Sequence, residues 1–130
     1  MLKILVVFSW DDDISEKRYR RIRRVLRGAP FLFEQCFATP SPEANTDAET
    51  IIARVSRAIE TYHPDVLLIH TGAAYDRGPE EYVKAVSQIH EKYPRIRLGL
   101  ERCFAEQQLV QLGLFEESSE MHSIEQAIFI

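Results

Sequence analysis

Long apolar runs are missing from this chain of 130 residues. None approaches the roughly 18 residues that a membrane-spanning helix needs. The opening stretch from Met1 to Phe8 has neither the basic region nor the small-residue cleavage site of a secretory signal. The expectation is a cytoplasmic protein with no membrane association. Cysteine is scarce: Cys36 and Cys103 stand far apart and form no C-x-x-C pair. They read as two buried, reduced thiols rather than a disulfide, redox or metal framework. With five glycines, the chain contains no G-x-G-x-x-G, no G-x-x-x-x-G-K-[ST] and no G-x-S-x-G. That argues against a dinucleotide fingerprint, a nucleoside-triphosphate loop and a hydrolase nucleophile elbow. No Ser/Thr/Gly-rich phosphate loop follows the first apolar run, so FMN is not expected. Neither a cofactor nor a metal is called for, and no internal repeat or low-complexity tract is present.

Hydrophobic residues make up 45% of the chain, enough for the core of one domain. The formal net charge of −4 conceals a polarity. Residues 1–33 carry eight Lys/Arg against four Asp/Glu, whereas residues 103–130 carry five Glu and neither Lys nor Arg. Such polarity bears on partner surfaces and head-to-tail association rather than on fold.

The central stretch is His63-Pro64-Asp65-Val66-Leu67-Leu68-Ile69-His70-Thr71-Gly72. Its apolar run is too short for a helix and reads as a parallel strand buried on both faces. Lys3 to Phe8 reads the same way. Phe31 to Phe37 is interrupted by Glu34 and Gln35, which places it at a sheet edge, and Ile96 to Leu100 is a fourth strand. Between them the spacing predicts three helices. The first starts at Asp13 as cap, with Glu16 as reciprocal partner, and runs to about Arg27. The second follows the capping-box spacing Thr46-Asp47-Ala48-Glu49 and runs to about Tyr62. Ala73 to Gly78 reads as a loop. The third helix starts at Pro79 and ends at Tyr93, before Pro94. Further on, Glu106 to Leu112 reads as a short helix. Leu114-Phe115 is then a fifth strand with Ser123 to Ile130 as a closing helix, or else Ala127 to Ile130 is the fifth strand.

This alternation argues for an α/β domain: a flavodoxin-like three-layer sandwich around a parallel five-stranded sheet of order 2-1-3-4-5. The expectation covers residues 1–130 as a single domain, such as the N-terminal domain of a longer protein.

His63 to Tyr93 then resembles a response-regulator receiver domain. The likeness rests on Pro64-Asp65, the apolar run to His70, the loop to Gly78, and the helix ending Ile89-His90-Glu91-Lys92-Tyr93-Pro94. Element lengths agree over nearly the whole chain. The departures fall on the chemistry. His70 stands where a receiver has its phosphoacceptor aspartate, and Asp65 lies at the other end of that strand. Phe8 and Ser9 stand where the acidic pair belongs, and Asp11 to Asp13 come later. Leu100 or Glu101 replaces the Thr/Ser of strand four, and no lysine follows Lys92. Aspartyl phosphorylation needs a carboxylate nucleophile, Mg²⁺ ligands and a cation for the phosphoryl oxygens. The resemblance therefore implies a pseudo-receiver: a regulatory module that is not phosphorylated and acts by protein–protein contact, without turnover.

Two surfaces carry that expectation. The run from Lys17 to Arg27 has seven basic residues in eleven. Lys17, Arg20, Arg21, Arg24 and Arg27 lie on or near one outer side, suited to an acidic protein partner, a second domain or a second copy of the chain. The blander alternative is a solvated helix face. The acidic chain as a whole argues against nucleic acid. A different class of function, a small-molecule or nucleotide site, enzymatic or not, would gather Ser9, Asp11, Asp12, His70, Thr71, Gly72 and Glu101 at the carboxyl ends of strands 1, 3 and 4. Against it stand simpler roles: a solvated, helix-capping acidic loop and a hydrogen-bonded histidine.

Overall fold

The computed structural model describes residues 2–25, 31–44, 46–70 and 72–101. In chain order these form β1 (Leu2–Phe8), α1 (Asp13–Val25), β2 (Phe31–Phe37), α2 (Ala48–Tyr62), β3 (Val66–His70), α3 (Gly72–Arg77), α4 (Pro79–Lys92) and β4 (Arg97–Glu101). The strands make one parallel sheet of order β2-β1-β3-β4. This α/β arrangement is compatible with a flavodoxin-like fold. Everything expected of residues 102–130, the fifth strand included, lies outside the described residues. Among the described residues, no helix is long and apolar enough to cross a membrane.

The apolar runs explain the sheet. Ile4 to Phe8 and all five residues of β3 are buried, as strands covered on both faces must be. Residues paired in parallel register point to the same face. Phe8 meets Tyr19 of α1 edge-on at 6.3 Å, which puts α1 on the face that also carries Ile4, Val6 and Leu68. Leu5, Val7, Leu67 and Ile69 therefore face α2 and α4. Each of these core side chains stabilises the fold by about 1.5–3 kcal/mol relative to exposure. The polar strand β2 occupies the edge, as its Glu34 and Gln35 predict.

α2 and α4 lie on the same face and are tied at both ends. The Glu81 carboxylate accepts the Ala48 N–H at 2.7 Å, and the Tyr93 hydroxyl donates to Glu60 at 2.8 Å. The amino end of the sheet is closed by Asp65. Its carboxylate accepts the Lys3 N–H, its own N–H donates to the Lys3 carbonyl, and its carbonyl accepts from Arg97. α2 ends on His63 in the left-handed region (φ 54°, ψ 60°), whose N–H donates to the Ile59 carbonyl.

Three local expectations shift. The cap of α1 is Asp12, not Asp13: the Asp12 carboxylate accepts the Ser15 N–H at 2.8 Å, and its carbonyl accepts from Glu16. The cap of α2 is Asp47 rather than Thr46, with its carboxylate on the Thr50 N–H at 3.0 Å. In both cases an acidic side chain next to the predicted position reaches the third amide of the turn. The segment read as a loop from Ala73 to Gly78 is mostly the one-and-a-half-turn helix α3.

Candidate functional site at the carboxyl end of the sheet

β1 leaves the sheet through Ser9, Trp10, Asp11 and Asp12. A parallel strand delivers its last side chains to the crevice above the sheet, where α/β proteins bind ligands. Here the exit loop folds back on the protein. Ser9 is buried, and its Oγ accepts the Ala74 N–H at 2.9 Å. That amide belongs to the first turn of α3, where N–H groups have no partner within the helix. The Ser9 carbonyl accepts from the Thr39 N–H and hydroxyl, which joins the exit of β2 to that of β1.

Trp10 is also buried, and its indole N–H donates to Asp12 at 3.0 Å. The buried Ser15 hydroxyl donates to the Trp10 carbonyl at 2.7 Å. The Arg77 guanidinium lies 4.6 Å above the indole ring and also donates to the Pro42 carbonyl. One aromatic ring thus fastens α1, α3 and the loop after β2 together.

The predicted site residues divide accordingly. Ser9 and Asp12 converge at this end but spend hydrogen bonds on α3, Trp10 and α1. Asp11 is exposed. His70 is buried at the end of β3 and turns onto the α1 face, with its ring 5.6 Å from that of Phe8 at 58°. Gly72 begins α3, Glu101 lies beside His70 in the β3–β4 register, and Thr71 falls outside the described residues. Among the described residues, no three His, Cys, Asp or Glu side chains are grouped so as to hold a metal ion.

Of the basic row, Lys17, Arg20 and Arg24 are exposed on α1, and Arg20 pairs with Glu16 one turn earlier. The side chain of Arg21 and all of Arg27 are beyond the described set.

A second feature escaped the sequence. Between the edge strand β2 and α2 lies an open groove of about 590 Å³. Glu34 and Cys36 line it from the strand, and Arg54, Arg57, Thr61 and Tyr62 from the helix. Arg54 Nε donates to the Phe37 carbonyl at 2.9 Å, and the Glu34 carboxylate accepts the Gln35 N–H. Burial pushes the Cys36 thiol up to about 12. Burial, reinforced by the Glu34 and Asp65 charges, likewise raises the Tyr62 phenol. The signal for this groove was present but diffuse: Arg54, Arg57 and Thr61 flank the buried stripe of an amphipathic helix whose neighbour is a polar edge strand.

No family model matches the chain, and it has no significant match among curated proteins or solved structures.

Proposed function

We propose that this domain is a receiver-like regulatory module that is not phosphorylated and works by contact with a protein partner. The observation that carries the reading is the use made of the polar groups where a receiver would hold metal and phosphoryl group. The Ser9 hydroxyl holds α3, and the Asp12 carboxylate caps α1 and takes the Trp10 indole. β3 ends in a buried imidazole tilted against Phe8 rather than in a carboxylate. An imidazole in that position offers no acyl-phosphate chemistry. The contact face is the outer side of α1, where Lys17 and Arg24 present exposed cations to an acidic surface on a second domain or a separate protein.

Two measurements test this together. Incubation with acetyl phosphate and Mg²⁺ should leave the intact mass unchanged; an added phosphoryl group overturns the reading. A photo-crosslinking residue at Arg20 should capture one discrete partner in cells, and the double change Lys17→Glu, Arg24→Glu should abolish capture while leaving the melting temperature unaltered. Capture that survives the charge reversal overturns the assignment of the face.

A further inference from the structure

The groove between β2 and α2 is built from different residues than the sheet's carboxyl end, and its chemistry is specific. Arg54 and Arg57 are three residues apart on α2 and so share one side of the helix. Arg54 commits only its Nε, to the Phe37 carbonyl. Among the described residues, Arg57 has no carboxylate within ion-pair distance. Tyr62 lines the same groove, but its hydroxyl is closed off from solvent and has no hydrogen-bond partner among the described residues. Lys3 Nζ lies 4.6 Å from the centroid of the tyrosine ring. Phe37 and Ala58 supply apolar wall, and the volume is that of a typical small-ligand site.

A peptide adding to the edge of β2 fits less well. Two of the main-chain groups it would use, the Gln35 N–H and the Phe37 carbonyl, are occupied by the Glu34 and Arg54 side chains.

We infer that this groove binds a small organic anion: a flat apolar body lying along β2, with a carboxylate or phosphate held by Arg57 and the free end of Arg54. Glu34 at the strand lip selects for a hydrogen-bond donor on the body and against a second anionic group there.

The test is a backbone-amide NMR titration of the full chain with three probes: adenosine 5′-monophosphate, indole-3-acetate and inorganic phosphate. The first two distinguish a nucleotide phosphate from an aryl carboxylate as source of the anion. Saturable shifts confined to β2 and α2, produced by either organic probe, are expected. Arg57→Ala should weaken that binding about tenfold or more, the loss of one charge-assisted contact. Binding that survives Arg57→Ala unchanged overturns the role given to the guanidinium. Equal binding of inorganic phosphate alone overturns the inference, since the organic body would then contribute nothing. So does an absence of saturable shifts with all three probes, or binding by an acidic peptide in their place.

Discussion

Replacing Ser9 with alanine removes one oxygen and separates a structural from a ligand-binding role for the sheet's carboxyl end. Ser9 Oγ accepts the Ala74 N–H at 2.9 Å in a buried position. α3 is six residues long, too short to stand without tertiary support. Without the hydroxyl, a buried first-turn amide loses its acceptor, which costs about 1–3 kcal/mol. Unfolding entropy scales with length, so each kcal/mol shifts the midpoint of a domain this size by about 4 °C. A central cost of about 2 kcal/mol then lowers it by about 7 °C. Calorimetry reads the shift, and hydrogen exchange at Ala74 should lose protection before the sheet does. A Ser9→Ala midpoint within about 1 °C of the parent would refute the reasoning, because the hydroxyl would then be free for some other task.

Four further outcomes follow from the same contacts. Asp12→Ala should cost about 1 kcal/mol as a lost helix cap, and the fluorescence of Trp10, the chain's one tryptophan, should change as its indole N–H loses its acceptor. At His63, in the left-handed region, glycine should be neutral or stabilising, whereas valine should cost roughly 1–2 kcal/mol in chemical denaturation. The Cys36 thiol, pushed up to about 12 by burial, should alkylate at pH 8 about a thousandfold more slowly than free cysteine, measured by mass spectrometry in a Cys103→Ser background. The Asp47 carboxyl is held below its ordinary range by hydrogen bonds from Thr50, side chain first and then backbone. A depressed folded value means stability that is present above about pH 4 and lost as pH falls through the folded value. Asp47→Asn keeps a capping side chain but cannot titrate, so its stability deficit should shrink below about pH 4 in acid denaturation.

The parts of the fold that were legible in the sequence are those set by local pattern. Val66 to Ile69 could only be a strand buried on both faces, and Glu34 and Gln35 assigned β2 to the edge. The amphipathic spacing of Ile51, Val55 and Ile59 gave α2 its buried stripe. Caps were legible to within one residue: the expected Asp13 and Thr46 each stand next to the aspartate, Asp12 or Asp47, whose carboxylate reaches the amide. α3 was illegible because its support comes from elsewhere. A six-residue Gly-Ala-Ala-Tyr-Asp-Arg segment has no helical stripe, and its first turn is held by a serine 65 residues away in sequence.

The candidate site followed the same division. That Ser9, Asp12 and His70 would gather near the ends of β1 and β3 follows from a parallel sheet. That Ser9 and Asp12 would be absorbed by α3, Trp10 and α1 depends on partners no spacing could reveal. The β2–α2 groove was missed because its cations lie outside the apolar stripe, where a solvated face is the ordinary reading.

The most direct test of a receiver-like module without phosphoryl chemistry is the thermal midpoint of the full chain in Mg²⁺ plus beryllofluoride. A ligand at 100 times its dissociation constant stabilises by about 2.7 kcal/mol, which in a domain of this size is a shift of about 10 °C. The expected result is a midpoint equal to that in buffer, because Ser9 and Asp12 are engaged in the fold and β3 ends in an imidazole. A rise of several degrees that needs both Mg²⁺ and beryllofluoride would contradict it, placing a working acceptor carboxylate where none has been assigned.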